Sequence, residues 1–447
     1  MELRSRVLIG FAIAGVVVCG GGTFLGLRYF DIPFASGQAE SAAAAYRKAG
    51  LPWEAADLAP NPPVSKAENA APLLKAAIAS FDWTAFDKEH ASLVQKLDEG
   101  QTSEVDKELS RYNRGLDSAA KAAERPRVDF KRDWDYGHDI LLPEYAGAKA
   151  LVRAFCLRAE VRAARNDISG TSRDLSTGLR LSALMGQEPC VIAMLVEIAC
   201  NRLVFTAIQR CAAQLVKNPK GLESVATALK DEANPDFVDA LRGEAYLGLA
   251  TLRNFDPLRD RNDAEDQGQN PPPIDPADLK RTGLPDGYFI RAFTARFFQN
   301  WTAAKALMDR FPDDPERLGH EMEAVTDRSG PGLSNILSDI LMPTYVQAGT
   351  ADAVCEADRR VTAALLQALI IRAQTGRLPT RIDEIPGIWI DPFGGGPLVM
   401  KTQGDSIRIY SIGPNHKDDG GVSLRELKGD LRKDYDVVAA YPPIKKR

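Results

Sequence analysis

From Pro143 to Ala233 the chain carries an almost unbroken helical period, and no other feature constrains its fold as much. Ala148, Leu151, Val152, Phe155 and Ala159 recur at three- and four-residue steps, which puts them on one face of an amphipathic helix. Asn166-Asp167 and Gly170 break the run, and Leu175 with Leu179 continues a second short helix. Glu188-Pro189 opens a third, carrying Ile192, Leu195, Val196, Ala199 and Leu203. Helices joined by turns this short hide their apolar faces by packing antiparallel on one another. The Asn-Asp turn suits a helical hairpin, but no repeat with tetratricopeptide consensus residues is legible, so the expectation is an irregular α-hairpin body.

The period returns twice further on. Phe289, Phe293, Phe297 and Trp301 stand at strict i,i+4 spacing, the pattern of a core face, with a groove for a ligand or partner helix as the alternative. Ala351 to Ala373 reads as another long helix, with Val361, Ala364, Leu365, Ala368 and Leu369 on one side and Thr375-Gly376 as its stop. Between the body and the aromatic stripe, Asp256-Pro257, a polar run to Asn270 and Pro271-Pro272-Pro273 read as a surface loop or linker. A chain of 447 residues has room for two or three domains. The expected division is a helical domain at 41–253, a Pro-rich loop or linker at 254–286, a helical continuation at 287–350 and an α+β module at 351–447.

Ahead of the body, Val7 to Leu27 is a run without charge, near the 20 or so residues that cross a bilayer as a helix. Arg4 and Arg6 precede it, and Arg28 is soon followed by Asp31 and Glu40, so the positive-inside bias places residues 1–6 in the cytoplasm. A single-pass anchor in the cytoplasmic membrane at 7–27, with an exported body in a periplasm-like compartment, is the expectation. A cleaved signal peptide is the alternative, for which the run is long. Gly22 and Gly26 form a small-xxx-small pair suited to self-association within the membrane. A net charge of −5 without a basic stripe argues against a nucleic-acid partner, leaving the membrane and envelope proteins as expected partners. The six cysteines form no CxxC and have no histidine spaced to complete a zinc site, so buried free thiols are expected.

After Thr375-Gly376-Arg377-Leu378-Pro379 the character changes. Asp391-Pro392-Phe393-Gly394-Gly395-Gly396-Pro397-Leu398 is a turn-forming run, followed by Ile409-Tyr410-Ser411-Ile412-Gly413-Pro414-Asn415 and by Asp418-Asp419-Gly420-Gly421. Strand candidates are Leu398–Lys401, Ile407–Tyr410 and Asp436–Ala439. Over roughly residues 355 to 440 this order resembles the C-terminal module of the major pseudopilins of type II secretion. There a helix leads into a small β-meander with an Asp-Pro-aromatic turn and an acidic calcium loop. The wider layout, with Pro72 after Glu68-Asn69 and Leu141-Leu142-Pro143, resembles membrane-anchored helical proteins of planctomycete genomes to which no activity is assigned. The fold class expected is therefore mainly α: an N-terminal transmembrane helix, an irregular α-hairpin body and a small C-terminal α+β pseudopilin-like module. Gly10-Phe11 is present, but Gly15 stands where pseudopilins have a glutamate.

The resemblance implies calcium as a cofactor, held by Asp418 or Asp419 and Asp436, with Asn415 a further oxygen donor. Asp430 and Asp434 belong to the same acidic cluster, whose plain alternative is a solvated turn. A second constellation is Trp134-Asp135-Tyr136-Gly137-His138-Asp139, which gathers an imidazole and two neighbouring carboxylates suited to general acid–base work. No G-x-S-x-G elbow, phosphate-cradling loop or dinucleotide fingerprint accompanies it, and His320-Glu321 has no second histidine four residues on. The functional expectation is a non-enzymatic, membrane-anchored structural or interaction protein of the cell envelope, related to secretion. Its alternative is an envelope hydrolase built around Asp135, His138 and Asp139.

Overall fold

The computed structural model describes residues 35–231, 235–254, 284, 288–328, 336–427 and 435–444. The apolar run 7–27 with Cys19, Gly22 and Gly26, nearly all of 254–286, and Asp430 and Asp434 lie outside the described residues. The fold is mainly helical with one small sheet, as the periodicity implies. In chain order the α-helices are α1 (Ala39–Lys48), α2 (Ala71–Ala79), α3 (Trp83–Asp98), α4 (Thr102–Ser110), α5 (Asn113–Ala123), α6 (Glu144–Ala164) and α7 (Ile168–Gly186). They continue with α8 (Val191–Leu215), α9 (Pro219–Asp231), α10 (Phe237–Arg253), α11 (Tyr288–Arg310), α12 (Pro315–Arg328) and α13 (Ile336–Thr375). Strands β1 (Val399–Gln403), β2 (Ser406–Ser411) and β3 (Val437–Tyr441) form an antiparallel meander in the order β1-β2-β3.

Local chemistry sets the helix ends. Asn166 takes the left-handed conformation (φ 58°) that closes α6, and the Asp167 carboxylate then caps α7 by accepting the Gly170 N–H at 2.9 Å. Gly170 is thus an early residue of α7 and not a break. A Cβ there would lie 2.1 Å from the Asp167 carboxylate, so the glycine makes room for the cap. The second helix accordingly runs 19 residues, longer than the short helix expected. At the other end of the body Gly376 (φ 79°) closes α13 and sends its N–H to Arg372 O at 2.8 Å.

Helices α6, α7 and α8 pack closely in turn, and α8 lies at the centre, against α6, α7, α10, α13 and β3. Among the described residues α8 is the one helix long and apolar enough to cross a membrane, by length and composition alone. Its buried side chains include Glu197, Asn201 and Gln209 beside Ile198, Phe205 and Ile208, and the Gln209 amide donates to Thr362 Oγ1 of α13 at 3.0 Å. Such a helix owes its apolar character to the protein core around it. Cys156, Cys190, Cys200, Cys211 and Cys355 are free and buried in this interior.

Helix α13 forms 40 unbroken residues from Ile336, so the boundary expected between 350 and 351 falls inside a helix. Its length serves two purposes. It packs on α8, α9 and α12, and its later turns also carry β2 and β3. Leu378, Ile385, Phe393, Leu398, Ile407, Ile409, Val437 and Ala439 join the same contiguous apolar core as the body. The aromatic stripe is a core face, widened to include Phe298. In α11 Phe297, Phe298 and Trp301 are buried while Phe293 is only half-buried, and the Phe289 side chain lies outside the description.

Candidate functional site

The tip is organised around Asp391, which is buried beneath the glycine run. Its carboxylate accepts the Phe393 N–H at 3.0 Å, the Ser411 hydroxyl at 2.6 Å and the Ile412 N–H at 2.9 Å. One side chain therefore turns the chain at Asp391-Pro392-Phe393 and fastens that turn to the end of β2. Phe393 fills the space below, its ring edge-on to His416 at 5.7 Å. The structural role expected of this motif agrees with these contacts.

The three aspartates named for a metal lie in one loop. Asp436, 1 % exposed, accepts the Asp419 N–H on one carboxylate oxygen at 3.2 Å and the Gly421 N–H on the other at 2.6 Å. Asp418 Oδ1 accepts the Gly420 N–H at 2.8 Å and the Tyr410 hydroxyl at 3.1 Å. Asp419 Oδ2 accepts the Asn415 side-chain N–H at 2.8 Å, so Asn415 serves the loop as a hydrogen-bond donor. Burial pushes the Asp436 carboxyl above its ordinary range, opposed by the two backbone amides. Among the described residues no group of three His, Cys, Asp or Glu side chains is arranged to hold a metal ion.

Two cations of the sheet reach the same loop. Val399 pairs with Tyr410 and Lys401 with Arg408 across β1 and β2, which sets Lys401, Arg408 and Tyr410 on one face while Ile407 and Ile409 turn into the core. The Lys401 ammonium donates to Gly420 O at 2.9 Å and lies 5.1 Å from the Tyr410 ring centre. Arg408 donates to Gly421 O at 2.6 Å and forms a two-pronged pair with Glu426 at 2.7 and 2.9 Å. That pair pulls the Glu426 carboxyl down to about 2. Neither cation figured in the reading of the acidic loop. The alternation of Lys401, Arg408 and Tyr410 along adjacent strands was the signal that could have found them.

The second constellation is arranged differently from its sequence. His138 sits on a 3₁₀ turn, Trp134–Asp139, pressed against α10 so closely that a Cβ on Gly137 would lie 2.4 Å from Thr251 Oγ1. The His138 ring faces Thr251 Oγ1 at 3.0 Å and Glu244 Oε2 at 3.3 Å. Its carboxylate neighbour is thus Glu244 of α10, where the sequence suggested Asp135 or Asp139. Asp135 is buried and accepts the Tyr246 hydroxyl, and Asp139 ends the turn exposed. The other Glu244 oxygen accepts the Val191 N–H at 2.9 Å, at the first turn of α8. Glu244 therefore joins the turn, α10 and the start of α8, a positioning role for which an acidic residue inside an apolar helix was the only sequence signal.

Body and tip also meet at His416, a non-glycine residue with φ 54°. Its ring bridges Phe393 O at 3.0 Å and Glu316 Oε1 of α12 at 3.3 Å, beside a shallow groove of about 470 Å³ lined by Asp314, Glu316, His320, Pro392, Phe393 and His416. Arg425 adds a contact from the tip to Thr206 of α8. No family model, curated protein or solved structure matches the chain.

Proposed function

We propose that this chain is a non-enzymatic structural or interaction protein of the cell envelope, related to secretion. A single span at residues 7–27 anchors it with its N-terminus in the cytoplasm, and the helical body carries a pseudopilin-like tip outward. The observation that supports this reading most is the construction of the tip. A long helix, the Asp391 turn, the β1–β2 hairpin, the acidic loop and the closing β3 follow one another in pseudopilin order, with Asp391 tying turn to strand. The engagement of His138 with Thr251 and Glu244 fits the same view, because those contacts hold α10 and α8 in place. Self-association through Gly22 and Gly26 is part of the proposal.

Two measurements on intact cells test it. Protease added to spheroplasts is expected to digest the folded body after mild destabilisation while sparing the first residues. A body that resists until the membrane is broken overturns the orientation. Crosslinking in the native envelope, followed by identification of the captured neighbours, is expected to return envelope or secretion components reproducibly. Capture of cytoplasmic proteins alone refutes the envelope role.

A further inference from the structure

The calcium loop that the pseudopilin resemblance implies does not fit the oxygens present. Calcium needs six to eight oxygens converging at about 2.3–2.6 Å. Here both Asp436 oxygens point at backbone amides, Asp418 Oδ1 is shared by an amide and a phenol, and Asp419 Oδ2 faces the Asn415 amide. The carbonyls of Gly420 and Gly421, the flexible pair best able to turn inward, are taken by Lys401 and Arg408. The two carbonyls thus meet cationic side chains, and both Asp436 oxygens, Asp418 Oδ1 and Asp419 Oδ2 already accept hydrogen bonds from the protein. We propose that Lys401 is the resident cation of this loop, occupying electrostatically the place that a divalent ion takes in pseudopilins, so that the tip folds independently of metal.

The geometry extends beyond one hydrogen bond. Lys401, solvent-exposed, stands on the strand face beside the loop and against Tyr410, and the Tyr410 hydroxyl in turn donates to Asp418. Gly420 takes the left-handed conformation (φ 83°) that turns its carbonyl toward the ammonium, which lies in ordinary contact range of the residue. A hydrogen bond with Tyr410, and behind that the charges of Asp418 and Asp436, shift the pKa of the Lys401 ammonium above its ordinary range. A fixed monovalent charge needs neither a full oxygen shell nor an ion from solution, whereas a bound ion would make loop stability depend on its concentration.

The test is hydrogen exchange of the segment 412–427 in the full chain, with millimolar calcium or with chelator. For the wild type the two conditions are expected to agree within about twofold, because no ion closes the loop. Lys401→Met keeps the aliphatic stem but removes the charge, and is expected to speed exchange of the segment about tenfold or more in chelator. Lys401→Arg is expected to restore protection, which a purely packing role for the stem would not require of it. Exchange over α8 serves as the control for global folding. Two results overturn the proposal: a tenfold or greater slowing by calcium in the wild type, or a Lys401→Met loop that exchanges like the wild type in chelator.

Discussion

Asp352 shows what burial alone does to one side chain. It lies within α13, 6 % exposed, where desolvation and the nearby Glu356 and Asp236 raise its carboxyl from 3.8 to about 7. A pKa raised on folding means that the acid form fits the native site better than the anion does. The native state is therefore least burdened below about pH 4, and stability declines as the pH rises through about 7. Asp352→Asn removes the charge while keeping the shape. It is expected to stabilise the protein at pH 8 by on the order of 2–4 kcal/mol and to make little difference at pH 4. Urea denaturation at the two pH values checks this, and an equal effect at both would show that ionisation is not the cause. Nothing in the sequence distinguished Asp352 from the exposed aspartates, because its environment comes from helices distant along the chain.

At the scale of elements, α11 illustrates how periodicity identifies a helix without fixing which residues reach the core. The i,i+4 row of Phe289, Phe293, Phe297 and Trp301 pointed to an apolar face, but α1 and the segment around Trp53 pack nearer to Phe298. Phe298 lies 4.8 Å from the Tyr46 ring and 5.6 Å from Trp53, and Trp301 meets Tyr345 of α13 at 5.8 Å. Phe298→Ala is accordingly expected to cost about 3–5 kcal/mol, as truncation of a buried aromatic does, and Phe293→Ala roughly half as much. Equilibrium denaturation of both variants decides the order, and a larger loss at Phe293 would restore the original row. The turn at Asn166-Asp167 and the stop of α13 at Thr375-Gly376 were legible because they act over a few residues, whereas Gly170, expected as a break, lies inside α7. The Glu244 cap on α8 was not legible, since its partner Val191 is 53 residues away.

For the whole molecule the decisive element is α13. One stretch of it packs on the body and another supports the sheet, and the apolar residues of both regions form one contiguous core. A domain boundary at 350/351 would cut this helix and expose the side of it that α8 covers. A fragment from Ala351 onward is therefore expected to lack a cooperative unfolding transition. In the full chain, hydrogen exchange over α8 and over β2 is expected to report the same denaturant midpoint. A tip that melts well before the body would contradict the shared core. Glu316 with His416 and Thr206 with Arg425 reinforce the union at the surface, while the merged core supplies most of it.

The sequence by itself determined the mainly helical class, the turn at Asn166-Asp167, the end of α13 at Gly376 and three strands within two residues of their positions. These follow from local conformational preferences and from apolar spacing, both complete within a few turns of chain. The grouping of Asp418, Asp419 and Asp436 came from the pseudopilin resemblance, within an acidic cluster that the residues alone made visible. Only the tertiary structure decided what those carboxylates face, that Glu244 and not a neighbouring aspartate meets His138, and that body and tip are continuous. Each depends on contacts between residues far apart in sequence, whose charge and burial exist only once α8, α13 and the sheet have closed on one another.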